Sequence, residues 1–97
     1  MDLFTFIFEF RGGTYTSQLK AIDINKALLN WTEKLKKDSN QIDHLGPKTI
    51  IEIKDKLFNL DINEKPTMLS DMKNIWCITL NTKKGFGLIN IVKTVDL

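Results

Sequence analysis

Phenylalanine occupies positions 4, 6, 8 and 10, with Leu3, Thr5, Ile7 and Glu9 between them. Side chains two apart on a strand share a face. The alternation therefore predicts a β-strand over 3–10 with one wholly aromatic side, which another layer must cover. Arg11-Gly12-Gly13-Thr14 follows as turn chemistry, with Gly12-Gly13 expected to supply the positive φ values of a tight hairpin. A returning strand is predicted over 14–22, because Thr14, Tyr15 and Thr16 favour a pleated, half-buried surface. Tyr15, Ser17, Leu19 and Ala21 share one of its sides and are expected on the phenylalanine side of the sheet. Thr14, Thr16, Gln18 and Lys20 take the other side.

The hydrophobic period then changes. Ile24, Ala27, Leu28, Trp31 and Leu35 recur at helical spacing, and Asp23 is placed to cap the first turn. Lys26, Asn30, Glu33, Lys34 and Lys37 fill the opposite side, with Glu33 and Lys37 expected to pair at i,i+4. This helix is expected to lie across the phenylalanines and to end at Asp38-Ser39-Asn40. The stretch 47–62 carries two patterns. Pro47 suits a first helical turn, and Ile50, Ile53 and Leu57 line one helical face, with Lys48–Glu52 and Glu52–Lys56 pairs. Thr49, Ile51 and Ile53 alternate like a strand instead, as do Phe58, Leu60 and Ile62. The preferred reading is a helix over 47–58, with a strand as the open alternative.

Pro66 marks 63–71 as a loop. A strand is predicted over 75–80, with Trp76, Ile78 and Leu80 on one side, then a turn over 81–85. The near-continuous apolar run Leu88-Ile89-Asn90-Ile91-Val92 predicts a final strand over 86–95, central in the sheet and buried on both faces. The expected fold is α+β: one domain over 1–97 in the order ββααββ, a four-stranded antiparallel sheet with two helices packed on one face.

Composition narrows the class. A chain of 97 residues with 42% hydrophobic and 27% charged positions has enough apolar material for one core and is far from a disordered tail. The net charge of +2 is mild. Nucleic-acid binders concentrate arginine on one face, but Arg11 is the only arginine, and the lysines are interleaved with 12 acids. Lys34, Lys36 and Lys37 with Lys83-Lys84 form the best candidate basic patch. No aromatic residues are interleaved with them to stack bases, and lysines at a helix C-terminus also answer the helix dipole. Cys77 is the only cysteine, so no internal disulfide forms; within an apolar run it is expected as a buried, reduced thiol. With no apolar stretch long enough to span a bilayer, the expected setting is soluble and cytoplasmic.

Candidate chemistry is sparse. A zinc site needs four Cys, His or carboxylate ligands, and the chain has one Cys and one His. A Cys77–His44 dyad is conceivable, since sequence distance does not forbid spatial contact, but the apolar neighbours Ile75, Trp76 and Ile78 favour a core thiol instead. His44 reads as a solvated loop residue. Arg11-Gly12-Gly13-Thr14 joins two strands and precedes no helix, so it reads as a hairpin turn in preference to a phosphate cradle. No catalytic, cofactor-binding or metal-binding residue is assigned, no cofactor is expected, and the chain is not expected to be an enzyme. Trp31 falls on the helical core stripe. Trp76 reads as core, or as the rim of a binding surface, where tryptophan is enriched.

Two resemblances bear on function. Phe6-Ile7-Phe8-Glu9-Phe10-Arg11-Gly12-Gly13-Thr14-Tyr15 through Ala27-Leu28-Leu29-Asn30-Trp31 resembles the HicB-like antitoxins. Their partial RNase-like fold opens with strands, a glycine turn and a helix carrying an Ala-Leu pair. The resemblance covers about the first third of the chain, lacks the proline-glycine-cysteine-like turn of that family and has no appended DNA-binding segment, so operon repression is not implied. In size, α+β content and lack of catalytic residues the chain is also similar to the small immunity proteins of bacterial contact-dependent and polymorphic toxin systems. Both resemblances imply a bacterial, non-enzymatic protein that neutralises a cognate toxin by direct binding. Candidate partner-binding residues are Asp43, Glu52, Asp55, Asp61 and Trp76. Asp38, Glu64 and Asp71 join them as exposed acids that would speed association with a basic nuclease. The alternatives are a self-associating structural or regulatory domain, held through sheet edges or an exposed Trp76 face, and a small nucleic-acid-binding module.

Overall fold

In the computed structural model, which describes residues 1–42, 45–58, 67–68 and 74–94, the phenylalanine alternation forms strand β1 (Asp2–Phe10). Phe4, Phe6, Phe8 and Phe10 are all buried. Strand β2 (Gly13–Ala21) returns antiparallel, in register from Phe10↔Gly13 to Asp2↔Ala21. That register leaves Arg11 and Gly12 as the turn, at φ 49° and 82°. Two successive positive φ values mark the mirror-image turn whose twist matches a hairpin. The expected Gly12-Gly13 pair is thus displaced by one residue. Gly13 serves a different need: a Cβ there would stand 2.7 Å from Cζ of Tyr15.

Helix α1 (Ile24–Asp38) begins at Asp23, whose carboxylate accepts the Lys26 N–H at 2.8 Å. Its buried residues Ala27, Leu28, Trp31 and Leu35 cover the aromatic side of the sheet. Tyr15 and Leu19 pack against the same core, on the side expected for them. Lys36 and Lys37 occupy the last turn, where the carbonyl ends favour positive charge. A single 3-10 turn, Ser39–Gln41, follows. The ambiguous stretch is helical: α2 (Pro47–Phe58) buries Ile50, Ile53 and Leu57 and leaves Ile51 outside, so the 3.6-residue period prevails over the alternation. The strand-like residues Leu60 and Ile62 lie outside the described residues.

Strand β3 is the two-residue segment Thr67–Met68, β4 is Ile75–Thr82 and β5 is Gly85–Thr94. The sheet order is β2-β1-β5-β4-β3 with every pairing antiparallel. The expected α+β fold is present: four long antiparallel strands and two helices in the order ββααββ. The short β3 corrects the reading of 63–71 as loop, since Thr67 pairs with Cys77 and Met68 with Trp76; two residues are too few for alternation to register. β5 is central, as expected, but only one of its faces is buried. Ile89 and Ile91 are enclosed beneath the helices, whereas Leu88, Asn90 and Val92 on the opposite side are half-buried. Among the described residues no helix is long and apolar enough to cross a membrane.

Candidate interaction surface

Both helices pack on the phenylalanine side, and no described helix lies on the other side of the sheet. Strand parity decides what that face, open as far as the described residues go, carries. Because Phe4, Phe6, Phe8 and Phe10 turn inward, Leu3, Thr5, Ile7 and Glu9 turn outward. The registers align them in cross-strand rows: Gln18–Thr5–Val92–Ile75, then Thr16–Ile7–Asn90–Cys77, then Thr14–Glu9–Leu88–Thr79. Ile7, Leu88, Val92, Ile75 and Cys77 are half-buried and surround Asn90, itself half-buried, across three strands. Polar groups gather toward one end. The Gln18 amide donates to Thr5 Oγ1 at 2.9 Å, Thr5 and Thr94 share a close hydroxyl contact, and Thr94 Oγ1 donates to the Val92 carbonyl at 3.1 Å.

The two hairpin turns meet at the opposite end. The Arg11 guanidinium donates to the carbonyl of Lys84, and its Cγ lies 3.2 Å from where a Cβ on Gly85 would stand. Arg11 is thus held between the turns although its left-handed backbone disfavours a side chain. Glu9, Arg11, Thr14, Phe86 and Leu88 line a shallow cleft of about 340 Å³ here. Phe86 is 54% exposed, a large apolar ring in water beside the half-buried aliphatics of the sheet. Arg11, Lys83 and Lys84 give this end a basic rim.

The residues singled out from the sequence do not converge. Asp43 and Asp61 lie outside the described residues, as do Glu64, Asp71 and His44. Glu52 braces the fold, since both its carboxylate oxygens accept the Lys83 N–H at 3.2 Å and tie α2 to the β4–β5 turn. Asp55 is exposed on α2. Asp38 pairs with Lys34 at 3.7 Å. Trp76 is half-buried on the helix side, its ring 6.1 Å from Phe4. Cys77, expected in the core, lies half-buried on the open face instead, because Trp76, Ile78 and Leu80 take the inward positions of β4. Among the described residues no cluster of three His, Cys, Asp or Glu side chains forms.

Arg11, Phe86 and Leu88 are not among the sequence candidates. A signal for them exists: Leu3 and Ile7 interrupt the polar side expected of a solvated strand, and the run from Leu88 to Val92 is apolar on both parities. Electrostatic coupling is concentrated elsewhere, on the helices. Glu33 meets Lys36 at 3.4 Å and Lys54 of α2 at 3.5 Å. The Lys36 hydrogen bond, with the charges of both lysines, holds its carboxyl below the ordinary glutamate range. The expected Glu33–Lys37 pair is replaced by these two contacts.

A second concavity of about 260 Å³ lies between β2 and the end of α1, with Tyr15, Ser17, Trp31, Lys34, Leu35 and Gln41 in its lining. Comparison with protein-family models, with characterised proteins and with solved structures yields no match for this chain.

Proposed function

We propose that this protein is a non-enzymatic binding protein of the bacterial immunity or antitoxin kind, which neutralises a cognate toxin domain by covering it with the open face of its sheet. The observation that supports this reading is the ring of half-buried aliphatic side chains, Ile7, Ile75, Leu88 and Val92, set around Asn90 on this face and ending on the exposed Phe86 and the anchored Arg11. Apolar surface that borders an exposed aromatic ring marks protein contacts, and aromatic and arginine side chains are enriched among residues that dominate binding energy. The basic rim of Arg11, Lys83 and Lys84 fits a partner surface with an apolar centre and acidic margin. This differs from the acidic contacts expected from the sequence, since Asp38 and Glu52 are engaged within the fold.

The test is co-expression with the product of each gene that flanks its own in the native host, assayed for toxicity alone and together. A toxic neighbour, protection from it and recovery of a stoichiometric complex are the expected results. A folded protein that neither protects against nor binds any flanking gene product contradicts the reading.

A further inference from the structure

We propose that the concavity between β2 and the end of α1 is a binding site for a small, neutral, single-ring compound with a carbonyl oxygen, and that the indole N–H of Trp31 donates to that oxygen. The site lies on the helix side of β2, away from the face assigned above to a protein partner.

The gap follows from the sequence. Tyr15, Ser17 and Leu19 alternate on the helix side of β2, and Tyr15 and Leu19 pack against the core. Tyr15 lies back toward the hairpin turn, its Cζ 2.7 Å from where a Cβ on Gly13 would stand. Ser17, between the two, is too short to fill the space beneath the last turns of α1. A concavity of about 260 Å³ results, just below the ~300–1,000 Å³ of pockets for drug-sized ligands. It suits a single ring.

Trp31 carries the assignment. It is 2% exposed and is held by the stacked ring of Phe6 and the edge-on ring of Phe8. Among the described residues nothing accepts a hydrogen bond from its indole N–H. Buried tryptophans usually find an acceptor, and a sealed N–H without one costs the desolvation of the group. Yet among the described residues no side-chain nitrogen or oxygen is sealed off in this way. The small exposed part of Trp31 therefore includes the N–H, which emerges in the concavity that Trp31 lines. The result is a rigid, nearly buried donor aimed at a ligand. Indole nitrogen only donates, so the ligand must bring an acceptor, and a carbonyl oxygen serves.

The mouth favours a neutral ligand. Lys34 and Asp38 line it as an ion pair at 3.7 Å, and their charges cancel. A carboxylate or an ammonium entering beneath them would lose hydration without gaining a counter-charge of its own. Leu35 and the ring of Tyr15 supply apolar surface for the body of the ligand, and the Gln41 amide at the rim can donate or accept.

The chain has two tryptophans, so a proton–nitrogen correlation spectrum carries two indole signals. Trp76, packed against Phe4, is the internal control. The probe is benzamide, a neutral ring with a carbonyl oxygen. The comparison is benzylamine, a ring of the same size with a cationic donor and no acceptor. Benzamide should move the Trp31 signal saturably, in the millimolar range open to so small a ligand, and leave Trp76 in place. Benzylamine should bind at least tenfold more weakly. Ser17→Leu fills the gap and should weaken benzamide binding at least tenfold, with the circular dichroism spectrum unchanged. Ser17→Val is a smaller filling at a position where strands favour β-branching, and should weaken it at least threefold. A Trp31 signal that does not saturate, equal movement of both indoles, equal affinity for benzylamine, or wild-type affinity in the folded Ser17 variants overturns the proposal.

Discussion

The indole of Trp31 lies almost parallel to the ring of Phe6, with centroids 5.4 Å apart and planes 7° from each other, while it meets Phe8 edge-on at 5.3 Å. One side chain of α1 thereby packs against two of the four β1 phenylalanines. Truncation of Trp31 to alanine removes both contacts and leaves a cavity in the layer between helix and sheet. A loss of about 3–5 kcal/mol is expected. Urea unfolding should show a lower midpoint at unchanged slope for Trp31→Phe, which retains one ring, and a far lower midpoint for Trp31→Ala.

Two glycines predict opposite outcomes. A Cβ on Gly87 would stand 3.1 Å from Cε1 of the fully packed Phe8, so Gly87→Ala overfills the core and costs about 1–3 kcal/mol. Gly46 has no atom within 4 Å of such a Cβ, and its carbonyl accepts the Ile50 N–H that opens α2. Gly46→Ser adds a capping hydroxyl and stiffens the unfolded chain, and stabilises by about 0.5–1 kcal/mol. Thermal melts of the two variants on either side of wild type check both.

Glu52 joins α2 to the β4–β5 turn through the Lys83 amide. Replacing it with alanine should destabilise the protein by about 0.5–1.5 kcal/mol, the range of a partly exposed hydrogen bond. Glu52→Gln keeps one acceptor oxygen and should cost less. Hydrogen exchange at the Lys83 amide reports the contact directly and should accelerate most in Glu52→Ala.

Among the described residues, Glu33 carries the pH dependence that the ion pairs predict. Its folded-state pKa is lowered, first by the Lys36 hydrogen bond and charge and then by Lys54. The carboxylate therefore contributes stability that is present above the unfolded glutamate pKa and is lost as pH falls through the lower folded value. Carbon-detected titration of Glu33 should give a pKa below the ordinary range. It should rise in Lys36→Ala, rise less in Lys54→Ala, and move toward the ordinary value in high salt.

β1, β2 and α1 are legible in the sequence because each repeats one period over at least nine residues and contacts its chain neighbour. α2 is legible only in part: Ile51 supports the alternating pattern, and its exposure becomes plain only when Ile50, Ile53 and Leu57 meet the core. Thr67–Met68 is set by pairing with β4, which no local period records. The Lys54 partner of Glu33 comes from the other helix, so helical spacing within α1 points to Lys37 instead. The face without a described helix is legible in part. Helices expected on the phenylalanine side leave Leu3 and Ile7 on the other, but Cys77, expected in the core, joins them only because β4 turns Trp76, Ile78 and Leu80 inward.

The central proposal is that this chain acts by presenting that face, which no described helix covers, to a protein partner, and Leu88 tests it most directly. Leu88→Lys places its charge across from Glu9, where it has an opposite partner and the fold is expected to survive. Titration of the toxin domain identified by co-expression into wild type, Leu88→Lys and the helix-side control Ile51→Lys should show binding weakened at least tenfold by the first substitution and unchanged by the second. Equal affinity for all three proteins, or a loss confined to Ile51→Lys, would contradict the account.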